Sequence, residues 1–291
     1  MHAIHQSSLI IAETLLPGML FCRHSLKILL LLPIVVAACC ENASGQNGGI
    51  QYSFSDSGFR RFDRPYVLIL PGILGEQIWD RNLRKGIKNS QAAVDVEIYD
   101  WTHGPLMAGF NIGGNEAKVE HLTQGIIKFK QHQPMRPLFL IGHSGGCRMA
   151  ISILERLPQE IQVEKSLLLS PCIDANYDIG PATQACRTGL FAFRSPIDIP
   201  ISMPLTAIHG LANGQLSLSA SVVGFRNPSR TTHTNLGTPN FFQIDYTPEM
   251  ISSGHPGGHF GWTTPGFVKR YITPLLTKQA IPGVSQEQSF R

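Results

Sequence analysis

The sequence predicts an α/β fold: a mainly parallel central sheet of about six strands with helices on both faces. Three observations carry that expectation. Strand-like and helix-like runs alternate along most of the chain. The strand-like runs are continuously apolar, as strands covered on both faces must be, and do not alternate with polar residues. Finally, 43% of the 291 residues are apolar and 15% are charged, enough for one good-sized core and too apolar for a disordered chain.

The first segment reads as an address. Arg23, His24 and Lys27 precede the apolar run 28–38, ILLLLPIVVAA, which ends at Cys39. A basic start followed by an apolar stretch of this size is the pattern of a secretory signal. The run is short for a bilayer span, and Pro33 interrupts it. Its end, Val36-Ala37-Ala38-Cys39, resembles the bacterial lipobox, which implies cleavage before Cys39 and acylation of its thiol. The alternative is an ordinary signal cut after Ala43-Ser44-Gly45. Residues before Met19 fit neither part of a signal, so translation starting at Met19 is a further expectation. Residues 1–38 are thus read as signal, 39–62 as a polar, glycine-rich tether, 63–280 as the folded domain and 281–291 as a tail.

Within the domain, 66–70 (YVLIL) is a short apolar run bounded by Pro65 and Pro71, and reads as a buried strand. Residues 93–101, rich in valine and isoleucine, form the second strand. The stretch 115–133 carries Val119, Leu122, Ile126, Ile127 and Phe129 at near-helical spacing. Strand 137–141 follows, then helix 145–157, which Pro158 stops. Runs 166–169, 190–193 and 241–244 supply three more strands, and 267–276 a last amphipathic helix. The stretch 199–240, rich in glycine, serine and small apolar residues, is an insertion whose role as lid or cover stays open.

The chemistry concentrates at Gly142-His143-Ser144-Gly145-Gly146, a G-x-S-x-G pattern. Alone the pattern is weak, but here a buried strand enters it and an amphipathic helix leaves it. A serine on such a turn takes an unfavourable backbone conformation, and only small residues two positions to either side let strand and helix come that close. Its hydroxyl is then aimed above the sheet, beside the free N–H groups of a helix start.

With these residues in view, the chain resembles the α/β-hydrolase family, lipases and esterases especially, over about residues 66–276. The resemblance implies Ser144 as nucleophile and the chain order serine, acid, histidine. Pro71-Gly72-Ile73-Leu74-Gly75 stands where lipases carry His-Gly-x-x-Gly; proline–glycine versions occur in lipid acyltransferases. By position Ile73 and Gly145 would supply the oxyanion N–H groups. The acid should follow the penultimate strand, where Asp198 lies; Asp174 and Asp178, after the preceding strand, are the alternatives. The base should precede the last helix, which points to His259 in Gly258-His259-Phe260-Gly261, with His255 four residues earlier as its rival.

Several classes of function are excluded or disfavoured. The formal charge of +4 is spread without a lysine/arginine block, so nucleic acid is not an expected partner. None of the eleven histidines sits in a His-Glu-x-x-His spacing and no Cys-x-x-Cys occurs, so no metal is expected, and the motifs call for no cofactor. In an oxidising compartment Cys172 and Cys186 could close the loop 173–185 as a disulfide; two unpaired core thiols are the alternative. Cys147 is expected as a small buried hydrophobe in the helix behind Ser144. The leading reading is hydrolysis of a carboxylic ester, a lipid or other acyl ester met at the membrane that the anchor holds. An acyltransferase, thioesterase or amidase on the same residues is the alternative, and a non-catalytic surface lipoprotein a second one.

Overall fold

The computed structural model of the chain describes residues 64–102, 116–199, 218–226 and 240–277. The expected signal, Cys39, the tether, the tail and most of the insertion lie outside the described residues.

Six strands form one sheet: β1 (Tyr66–Leu70), β2 (Asp95–Ile98), β3 (Leu138–His143), β4 (Lys165–Leu169), β5 (Leu190–Arg194) and β6 (Phe241–Asp245). Their order across the sheet is β2-β1-β3-β4-β5-β6. Every pairing is parallel. The helices are α1 (Ile78–Asn89), α2 (Glu116–His132), α3 (Gly146–Leu154), α4 (Gly180–Gln184), α5 (Ala220–Val223) and a C-terminal run from Pro265 to Thr277. The expected fold class is what the chain forms.

Period-two geometry explains why the strand runs are apolar throughout. Tyr66, Leu68 and Leu70 join Leu138, Leu140 and Leu168 in one core, where Val119, Leu122, Ile126 and Phe129 of α2 and Met149 and Ile153 of α3 cover them. Val67 and Ile69 point the other way, with Phe139, Ile141, Leu167 and Leu169, under Leu83 and Ile87 of α1 and Phe267, Val268 and Ile272. Each such side chain contributes roughly 1.5–3 kcal/mol on burial, so both faces are needed to hold the sheet. At the amino ends of the strands, Arg136 donates to Asp95 (2.8 Å) and to the Arg64 carbonyl (2.6 Å), tying β2 to the turn before β3. That leaves the carboxyl ends free to carry loops.

Some expectations need correction. The second strand is shorter than 93–101, because Tyr99 and Trp101 turn into the core, Trp101 Nε1 donating to the Pro71 carbonyl at 2.8 Å. Helix α1 was not expected from the sequence. The last helix runs in three parts: Pro265–Phe267, a π-helical stretch Val268–Ile272, and Thr273–Thr277. Pro274 has no N–H to give the carbonyl one turn back and its ring crowds it, so the turn before it widens. The Thr273 hydroxyl then donates to the Val268 carbonyl at 3.1 Å.

Of the two readings of Cys172 and Cys186, the chain forms the unpaired core thiols and not the disulfide. Cys172 and Cys186 are both free and buried. Cys186 bridges Val163, just before β4 begins, and its thiol donates to the Ala182 carbonyl at 3.5 Å. Cys172 follows the other end of β4. A five-residue strand of about 3.3 Å per residue separates them, well beyond disulfide reach.

Candidate active site

The site lies at the carboxyl ends of β1, β3, β4 and β5, where the loops of a parallel sheet gather side chains from distant parts of the chain. Ser144 follows β3 directly and has φ of 54°, in the left-handed region that a residue with a Cβ enters only at a cost. The surrounding structure forces it there. Its N–H donates to the Leu169 carbonyl (2.9 Å), while the Ser144 carbonyl accepts the Cys147 N–H (3.1 Å) and starts α3. Glycine is obligatory two positions before and after. A Cβ on Gly142 would lie 2.7 Å from Cys147 Cα, and one on Gly146 would lie 2.1 Å from the Leu70 carbonyl oxygen.

The loop after β1 closes over this turn. Gly72 faces Ser144, and the Cβ position of Gly145 is 3.3 Å from the Ile73 amide nitrogen. The Ile73 amide therefore lies against the Gly145 backbone at the start of α3. Among the described residues neither amide has a backbone acceptor. Paired free N–H groups beside a helix start favour a developing negative charge.

His259 and Asp198 meet in the same region. The Asp198 turn begins at Ser195, whose carbonyl accepts the Asp198 N–H at 3.0 Å. His259 Nδ1 lies 2.9 Å from Asp198 Oδ2 and 3.0 Å from Oδ1, with both side chains buried. A carboxylate only accepts, so the ring proton sits on Nδ1 and the lone pair on Nε2. Burial pushes the His259 pKa below its ordinary value, against an opposing pull from Asp198 and Asp80. The imidazole is thus held neutral near pH 7, the form a base needs.

The rival residues are engaged elsewhere. His255 Nδ1 accepts the Gly257 N–H at 3.0 Å, which puts the ring proton on Nε2, the reverse of what a carboxylate-held base requires. Its ring stands edge-on to Trp262 at 4.1 Å and beside Phe267 at 4.9 Å, and burial pushes its pKa down to about 4. It is a packing residue of the loop. Asp174 caps its own turn, accepting the Asn176 N–H at 2.8 Å, and Asp178 does the same for the Gly180 N–H at 3.0 Å.

With the strained serine between a parallel strand and a helix, the architecture is settled. This is the arrangement that the resemblance to the α/β hydrolases implies. No protein-family model and no curated protein matches the sequence. Among solved structures, the chain is similar to a putative α/β-superfamily hydrolase from Xanthomonas campestris, at 13% identity over 71% of this chain and 97% of that one, TM-score 0.40. A poly(3-hydroxybutyrate) depolymerase from Bordetella parapertussis is 12% identical over 77% and 82%, TM-score 0.47. Lipase B of Aspergillus fumigatus is 14% identical over 76% and 54%, TM-score 0.46.

Four residues here were not singled out as part of the site from sequence. Ser170, at the end of β4, also has positive φ, at 50°, and its hydroxyl donates to the His259 carbonyl at 3.2 Å, fastening the histidine loop to the sheet. Cys172 Sγ lies 3.7 Å from Ser144 Oγ. His143 and Asp80 form a buried pair, Nδ1 to Oδ1 at 3.2 Å. Only His143 carried a signal, as the variable position of the G-x-S-x-G pattern; the others meet the site through register alone. Among the described residues no group of three or more histidine, cysteine or carboxylate side chains could hold a metal, and no helix is long and apolar enough to cross a membrane.

Proposed function

We propose that this protein is a serine hydrolase that cleaves a carboxylic ester through an acyl-enzyme on Ser144. The observation that carries the reading is the His259–Asp198 hydrogen-bonded pair, at 2.9 Å, gathered with a strained Ser144 and two free amides at one end of the sheet. A protein that only binds has no use for a buried neutral imidazole of fixed tautomer at the same end of the sheet as such a serine.

The steps follow from these groups. The Ser144 hydroxyl leaves Cys172 and attacks the ester carbonyl, while His259 Nε2 takes its proton and Asp198 stabilises the imidazolium. The oxyanion is received by the Ile73 and Gly145 N–H groups. Collapse of the tetrahedral species breaks the bond to the alcohol, which leaves with the proton from His259. Water then repeats the sequence on the acyl-enzyme, giving the acid and free Ser144. The lipobox-like Val36-Ala37-Ala38-Cys39 supports an exported, lipid-anchored protein whose substrate is a lipid or other acyl ester. Stopped-flow turnover of a p-nitrophenyl ester tests this: a burst equal to the enzyme concentration, then steady release, is expected. Adding an alcohol acceptor separates the variants of the reading, since a transferase would form the new ester in preference to the acid.

A further inference from the structure

Next to the His259–Asp198 pair lies a second imidazole and a second carboxylate. Asp80 is on α1 and His143 is the last residue of β3, one position before Ser144, and both side chains are fully buried. Asp80 Oδ2 accepts the Gln77 N–H at 3.0 Å and Oδ1 meets His143 Nδ1 at 3.2 Å, so each oxygen has a donor. With its Nδ1 turned to Asp80, His143 leaves an Nε2 that has no partner among the described residues. Its centroid is 5.5 Å from that of His259. Phe260 covers both rings, 6.1 Å from His143 and 5.0 Å from His259, and packs on Trp79 at 4.4 Å.

From this placement we infer that Asp80 and His143 form a positioning pair whose single negative charge steadies the His259 imidazolium during attack by Ser144. The inference rests on the serine-hydrolase reading of the site. Among the described residues, Asp198 beyond β5, His143 on β3 and Asp80 on α1 each act electrostatically on His259. Arg81 and Arg84 of the same helix turn outward to Glu76, at 3.1 and 3.8 Å, and do not neutralise Asp80. Asp80, His143 and His259 are all buried, so a charge two side chains away is felt far more than it would be in solvent. The sign is definite. Asp80 as carboxylate favours the protonated form of His259, whereas a proton on His143 opposes it. The pair also links α1, the helix that follows the oxyanion loop, to the residue before the nucleophile. Gln77 Nε2 reaches back to the Leu74 carbonyl at 2.9 Å, holding that loop to the same helix start.

The test is an NMR titration of labelled histidines, with the His259 signal assigned by its loss in His259→Gln, run beside the pH dependence of kcat/KM. Asp80→Asn keeps an acceptor for Gln77 and removes the charge. It should move the His259 midpoint and the acid limb together to lower pH, by about half to one unit, and reduce kcat about tenfold. His143→Asn, whose amide can replace Nδ1–H toward Asp80, should keep the His259 midpoint at or above that of the wild type. An unchanged His259 midpoint in a folded Asp80→Asn overturns the inference, whatever happens to its melting temperature. If Asp80→Asn does not fold, a lowered midpoint in His143→Asn overturns it. Because the titration needs no turnover, it decides the coupling even if Ser144 proves unreactive and the hydrolase reading fails.

Discussion

Asp198 and His259 lie 61 positions apart in sequence, yet both carboxylate oxygens come within 3.0 Å of the same imidazole nitrogen. Asp174 and Asp178 each commit one oxygen to the turn that carries it. Asp198→Asn should therefore lower kcat by about 10³–10⁴-fold, because an amide no longer holds the productive tautomer. Asp174→Asn and Asp178→Asn should keep kcat within a few-fold, as turn caps allow. Ester turnover of the three folded variants decides which carboxylate serves His259. A collapse in either turn variant with Asp198→Asn intact would transfer the role.

The two loop histidines should separate by pH. Activity requires neutral His259, and burial has lowered its pKa, so kcat/KM should rise with pH through a midpoint below 6.5. His259→Ala should abolish turnover and the limb together, while His255→Ala lowers activity but keeps the limb. His255 should instead govern acid stability. Its folded pKa, about 4, is below the ordinary 6.5, so its stabilising contribution is present above pH 6.5 and lost as pH falls toward 4. Chemical denaturation of His255→Phe should then show a shallower loss of stability than the wild type across that window. Equal slopes would remove His255 from the account.

Much of the site could be read in the chain because its parts are local. The elbow needs glycine at 142 and 146 next to an apolar strand, and both neighbours are contiguous with Ser144. Counting strands points to Asp198 and His259, whose side chains the structure brings together; such counting is possible when each strand is a short apolar run between turn residues. Helix α1 is not legible in the sequence because Gly86 and many charged residues dilute its pattern; Gly86 admits Val268, whose Cβ would lie 2.7 Å from a Cβ at that position. The Asp80–His143 contact spans 63 residues and depends on how α1 lies over β3, which no local pattern reports. The same holds for Ser170, whose value comes from the strand end it occupies. The choice between a disulfide and two free thiols stays open for the converse reason: proximity along the chain says nothing about opposite ends of β4.

The elbow itself makes a steric prediction. Gly146→Ala puts a methyl 2.1 and 2.4 Å from the Leu70 and Pro71 carbonyl oxygens, which are backbone and cannot turn away. The loop carrying Ile73 must shift, so the variant should lose about 2–4 kcal/mol of stability and most of its ester turnover. Denaturant unfolding and kcat/KM of the same preparation measure both. Wild-type stability would show that helix and strand do not approach this closely.

The anchor is tested apart from the chemistry. Cys39→Ser should yield a protein that stays in the aqueous phase on detergent partition, while the wild type enters the detergent phase. Mass spectrometry of the mature N-terminus checks the same point: an acylated Cys39 is expected, and a start at Gln46 would mean ordinary secretion.

The central claim is that Ser144 is an activated nucleophile, and a fluorophosphonate probe followed by peptide mapping tests it most directly. The probe reacts only with a serine whose proton is being taken and whose oxyanion is being received. Stoichiometric label on the peptide carrying Ser144, abolished in Ser144→Ala and strongly slowed in His259→Ala, is the expected result. Label on a different serine, or undiminished label in Ser144→Ala, would contradict the account.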